Sequence, residues 1–224
     1  MNALSLSFLL YTIGIFAVGI YSARFSRKTS SDFFLADRGL GSWVAALSSS
    51  ASAESGWVTL GLVGTAFNTG VGAFWIVPGT VAAFVFNWLV LAPRLRRAAF
   101  QHRGLTIADV LAQPYTGTPR TVIRVLSVLI ILTMLIAYVA AQLNAAGKTF
   151  MGTFDWSYTA GVLCGAAIVL GYTITGGFRA VAWTDVVQAI LMVTAVIVLP
   201  LILVAHLGGF AELFDRLHAA DPNL

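Results

Sequence analysis

The sequence predicts an all-α integral membrane protein with six transmembrane helices, and three observations carry that prediction. Of the 224 residues, 58% are hydrophobic and 10% are charged, against about 25% charged in an ordinary soluble domain. The apolar residues gather into six runs, each adequate for a hydrocarbon core of about 30 Å at a rise of about 1.5 Å per residue. The basic residues fall between those runs and almost entirely on one side.

The first run, 4–23, has no basic segment before it and stays apolar as far as Ala23. It therefore reads as a retained span rather than a cleaved leader. Span 2 covers 43–67 and span 3 covers 71–91, with Asn68-Thr69-Gly70 as a tight external turn between them. Pro78 is expected to kink span 3 and Pro93 to end it. The long connection 101–119 contains a candidate short helix at 105–111, capped by Thr106 and stopped before Pro114. Span 4, at 122–150, is overlong, so tilt or a projecting end is expected. Spans 5 and 6, at 158–175 and 181–206, are joined by a reversal that Gly176-Gly177 permits, with Thr184 or Asp185 as a candidate cap. After Gly208-Gly209, residues 210–219 form an amphipathic pattern suited to the outer interface.

Orientation follows from charge. Arg24, Arg27, Lys28, Arg38, Arg94, Arg96, Arg97, Arg103, Arg120, Arg124 and Arg179 share one side, leaving Lys148 and Arg216 for the other. The positive-inside rule makes the loaded side cytoplasmic and places both termini outside. Topology thus accounts for the net charge of +4 without nucleic acid as a partner. His102, His206 and His218 lack metal-ligand spacing, Cys164 has no partner for a disulfide, and no phosphate-binding glycine loop is present. The chain is not read as an enzyme.

The most informative segment is Ala-Ser-Ala-Glu-Ser-Gly-Trp at 51–57. It is a polar, small-residue break inside span 2. Unpaired backbone and ionised side chains are tolerated at that depth only against protein or a water-filled cavity. The serines and glycines also permit close helix packing; Glu54 shifts the balance toward a site. If the helix unwinds there, its carbonyls become hard oxygen ligands suited to sodium, and the following helix N-terminus can hold a solute carboxylate. Trp57 is either a packing residue or a lid. On span 4, Tyr138 and Gln142 lie four apart on one face, serving either interhelical hydrogen bonds or substrate contact. Asp185 either caps span 6 or assists cation exit, and Arg38 is a conceivable salt-bridge partner for it.

Three stretches together carry a family resemblance: Asp32-Phe33-Phe34-Leu35-Ala36-Asp37-Arg38-Gly39-Leu40-Gly41, the break at 51–57, and 175–185 followed by Gln188. With them the chain resembles the sodium:solute symporter family over nearly its whole length. The resemblance implies a LeuT-like transporter core, an inverted five-plus-five repeat preceded by an extra helix. Residues 1–40 would then be the extra helix and its cytoplasmic loop, 41–206 the first repeat with its discontinuous helix, and 207–224 an external segment at which the chain looks truncated. It further implies Na⁺ as coupling ion, held by the backbone carbonyls of Ala51 and Glu54. Ser55, Gly56, Trp57, Tyr138 and Gln142 would face a small organic solute, most simply L-proline or a related amino acid. Arg38 and Asp185 would serve ion release or gating. A multi-pass protein of the bacterial inner membrane is expected, needing the missing C-terminal repeat or a split partner to complete its site. Two features depart from the pattern: Ala53 stands where the family's proline transporters carry an aspartate, and the second repeat is absent. The alternatives are symport of another solute, such as a carboxylate, or a transporter-like sensory module.

Overall fold

A computed structural model describes residues 3–25, 29–54, 56–101 and 104–220. Ser55, the side chain of Trp57, Arg27, Lys28, His102, Arg103 and Asp221-Pro222 lie outside the described residues. Among the described residues every regular element is helical. The order is α1 (Ala3–Ala23), α2 (Ser30–Leu35), α3 (Ser42–Ala53), α4 (Val63–Thr69), α5 (Ile76–Phe86), α6 (Ala92–Gln101), α7 (Ile107–Ala112), α8 (Gly117–Phe154), α9 (Tyr158–Leu207) and α10 (Phe210–Ala220).

Four helical runs are long and apolar enough to cross a membrane: Ala3–Ala23, Val63–Gln101, Gly117–Phe154 and Tyr158–Leu207. Two of them are interrupted by glycine. Gly70, at φ 57 and ψ −136, ends α4, where the sequence predicts a tight turn. Gly177, at φ 58 and ψ −155, breaks α9 into 158–176 and 178–207. Of the segment predicted as span 2, residues 43–62 fall outside those four, because the polar break ends α3 after 12 residues, too few to span alone; its last residues, 63–67, begin the Val63–Gln101 run.

α9 is the hub. α1, α2, α3 and α8 all pack on it, and most of the buried residues sit along that seam: Ile15 on α1, Asp32 on α2, Ser48 on α3, Phe150 on α8, and Tyr172, Ala180, Ala182, Thr184, Asp185 and Ala189 on α9. Small residues make the close approach possible. A Cβ on Gly161 would stand 2.7 Å from Phe150 Cβ, and one on Gly147 would stand 2.7 Å from the ring of Tyr158. Without a solvent-driven hydrophobic effect between helices in lipid, such backbone proximity supplies the packing. At one end of this seam Phe8, Phe150, Phe154 and Trp156 cluster, with Trp156 stacked on Phe150 at 5.3 Å. The described side chains of 63–101, by contrast, include none that is buried.

Thr106 caps α7 as predicted, in a reciprocal capping box with Asp109. Two local expectations are corrected. Pro93 does not end its helix, which runs on to Gln101; the π-helical turn Asn87–Leu91 just before it widens the coil and accommodates the ring. Pro78 lies in the first turn of α5, directly after the 3-10 helical segment Gly70–Trp75. Thr184 is fully buried and bonds back to Val181 O, and Asp185 bonds Ser48 of α3, so neither caps a helix start.

Candidate functional site

The break predicted in span 2 is present. α3 ends at Ala53, and Glu54 leaves the helix at φ −79 and ψ 77 with its N–H still donating to Ser50 O at 2.9 Å. A π-helical turn, Trp57–Leu62, follows and leads into α4. Helix termini leave carbonyls at one side and N–H groups at the other without intrahelical partners. Here both ends face α8. The Tyr138 hydroxyl donates to Ser52 O at 3.0 Å, and the Gly56 N–H donates to Gln142 Oε1 at 3.0 Å.

The two side chains predicted to share a face on span 4 therefore bridge the two halves of the broken helix. The approach is close, since a Cβ on Gly56 would stand 2.7 Å from Ala145 Cβ. Tyr138 nevertheless remains 44% exposed, so the junction is open along one side. Ala51 lies in the last turn of α3 and Glu54 at its end, both half-buried. The carbonyl end of α3 and the N–H end of the following segment give the break a negative and a positive pole.

Arg38 and Asp185 are not brought together. Arg38 Nη2 donates to Ala99 O at 3.2 Å and Gly104 O at 3.0 Å, with its guanidinium 5.7 Å from the centroid of the Phe100 ring. Asp185 accepts instead from the Ser48 hydroxyl at 2.6 Å. Both members of that bond are buried, so it ties the first half of the broken helix to α9. Gln188 engages the hydroxyls of Tyr11 and Tyr172 nearby. Ser48 was visible only as one of several serines in span 2. Its pairing depends on helix packing across 137 positions of sequence, which no local pattern encodes.

The sodium:solute symporter family model matches residues 33–224. A sodium/proline symporter of Salmonella typhimurium is 38% identical over 207 residues, covering 92% of this chain and 41% of the relative. The Escherichia coli sodium/proline symporter is 37% identical over the same shares. An osmoregulated proline transporter of Bacillus subtilis is 33% identical over 96% of this chain and 44% of its own length. The chain thus spans less than half the length of these curated relatives. No solved structure matches it.

Proposed function

Since the chain belongs to the sodium:solute symporter family, a family of transporters rather than enzymes, we propose that it forms the N-terminal part of a sodium-coupled symporter for L-proline or a closely related solute. It would act by alternating access across the bacterial inner membrane. The observation that carries this reading is the broken helix at 51–57, whose two ends are met by Tyr138 and Gln142. Matching relatives are named for sodium and proline, and the break offers chemistry for both. Sodium requires hard oxygen donors and a negative helix end; the terminal turn of α3 offers the carbonyls of Ala51 and Glu54. An amino-acid carboxylate requires N–H donors at a positive helix end. The Gly56 N–H is such a donor, and in this state Gln142 Oε1 occupies it.

In this reading Gln142 holds the carboxylate's place and yields it when solute arrives. Tyr138, half-exposed beside Ser52 O, forms one wall, and the family resemblance assigns Ser55 and Trp57 to the same solute. Asp185, held by Ser48, releases its hydroxyl partner when a cation passes toward the cytoplasm. Arg38 anchors the loop ahead of α3 to the connection between α6 and α7. The six predicted spans, with the arginine-rich ends cytoplasmic and the N-terminus outside, form the extra helix and first repeat of a five-plus-five core. The remaining sodium and solute contacts would come from a second repeat.

The test is uptake of labelled proline into membrane vesicles by the full-length protein. Uptake is expected to follow an imposed sodium gradient. Uptake that is unchanged in buffer free of sodium and lithium would overturn the assignment.

A further inference from the structure

The strap between α1 and α3 carries charged groups that the proposed transport site leaves unused. The side chain of Asp32 on α2 is fully buried, and its Oδ1 accepts from Arg179 Nη2 at 3.0 Å. The same nitrogen reaches Ala36 O at 3.1 Å. Arg179 stands two residues beyond Gly177, where α9 is broken at φ 58. At that joint a Cβ would lie 2.7 Å from Phe33 O, so the strap rests directly on the backbone of the break. Starting at Ala36 the chain makes three successive non-glycine residues with positive φ: Ala36 at 49, Asp37 at 53 and Arg38 at 58. Each such residue is disfavoured by the contact between Cβ and the following carbonyl. A run of three persists only where surrounding contacts over-determine it. Those contacts are two arginines: Arg179 holds the strap at Asp32 and Ala36, and Arg38 ties its far end to Ala99 O and Gly104 O. α3 begins at Ser42, four residues after Arg38, and its Ser48 is bonded to Asp185 of α9.

We propose that Asp32 and Arg179 are positioning residues of the gate at the arginine-rich end: paired when α3 lies against α9, and separated when α3 swings away. α3 begins four residues after Arg38, and the strap rests on the joint of α9, so that motion pulls on the pair. An ion pair suits such a device better than an apolar contact. Paired, its charges are matched, with the Asp32 side chain fully buried and Arg179 21% exposed, and once more water enters the opened mouth both charges are hydrated, which leaves two acceptable states. One detail favours the second state. Arg179 Nε is buried without a hydrogen-bond partner, and a buried N–H in that condition gains a partner when water reaches it. The pair thus closes the mouth without locking it.

The inference deepens the transport reading and relies on its orientation, but its test reads access rather than transport. In the full-length protein with Cys164→Ser, a cysteine is placed at Ala182, which is fully buried on α9 between Arg179 and Asp185. A membrane-impermeant maleimide then labels inverted vesicles, in which the cytoplasmic face is outermost. The Arg179→Gln variant removes the guanidinium that pairs with a buried carboxylate and is prone to misfold. The Asp32→Asn/Arg179→Gln double variant removes both charges and keeps the experiment decisive. The open state of a two-state gate is commonly a minor population, so loss of the clasp is expected to speed labelling about tenfold in the double variant. Right-side-out vesicles should show no acceleration. A double variant that keeps its melting transition yet labels within about twofold of the parent would overturn the proposal, since no population shift would have occurred. Loss of the melting transition in the double variant would overturn it as well, making the pair a structural staple. Symport itself could fail its own assay with this outcome unaffected.

Discussion

Gly56→Ala tests whether the broken helix is held by α8. The added Cβ would stand 2.7 Å from Ala145 Cβ and 3.5 Å from Gln142 Oε1. Carbon pairs are comfortable at about 3.5–4.0 Å, so the helices have to part by about 1 Å. Overpacking of this kind costs about 1–3 kcal/mol. The same displacement stretches the 3.0 Å bond from Gly56 N–H to Gln142, worth about 1 kcal/mol. The expected loss is therefore about 2–4 kcal/mol, read by denaturant or thermal unfolding in detergent. Sodium-driven uptake should fall in parallel. The decisive variant is Gly56→Ala/Ala145→Gly, which removes the opposing carbon. Although Ala145→Gly alone costs about 1 kcal/mol in helix propensity, the pair should show a coupling energy above about 1 kcal/mol. If the two losses add within about 0.5 kcal/mol, as for independent sites, the close contact is not what holds the break.

Three further substitutions probe separate links. Tyr138→Phe deletes the hydroxyl that meets Ser52 O; unfolding should shift by about 0.5–1.5 kcal/mol, with uptake reduced more than stability alone accounts for, and equal uptake would remove Tyr138 from the site. Gly177→Ala places a side chain at φ 58, ψ −155, a region essentially reserved for glycine, and against Phe33 O. Strain there costs about 1–3 kcal/mol before the clash is counted, so membrane yield and melting temperature should both drop sharply, and a variant that melts like the parent refutes the geometry. Thr106→Ala removes the α7 capping box at a cost of about 0.5–2 kcal/mol; amide exchange at 107–112 should accelerate while uptake is unchanged.

How much of this was legible in the sequence depends on how local the cause is. The break could be read because a carboxylate and small polar residues inside an apolar run conflict with the solvent itself. The α7 cap could be read because Thr106 and Asp109 are three residues apart. The common face of Tyr138 and Gln142 followed from helical periodicity, but their partners did not, since Ser52 and Gly56 lie 86 positions away. Pro93 misled because a local rule took no account of the π turn Asn87–Leu91 before it. Arg38 and Asp185 suggested a pair by opposite charge alone. In the fold, carbonyls satisfy the first and a serine hydroxyl the second. Arg179 was read simply as a topological charge, and no sequence pattern marks three left-handed residues at Ala36, Asp37 and Arg38.

On the proposed transport reading, the two ends of the break impose different demands, and together these constrain the order of binding. Gln142 Oε1 already accepts the Gly56 N–H, so a solute carboxylate has to displace an existing partner and gains only the difference between two hydrogen bonds. A charge-assisted acceptor is roughly twice as strong as a neutral amide, which favours exchange. A cation bound first at the carbonyl end of α3 would draw the carboxylate further toward the same gap, because opposite charges a few ångströms apart attract strongly in a site shielded from water. Solute affinity should therefore rise with sodium concentration, with Gln142→Ala weakening that dependence by freeing the N–H in advance. A Gln142→Ala variant that retains the full sodium dependence of proline affinity would show that the exchange at Gly56 is not the point of coupling.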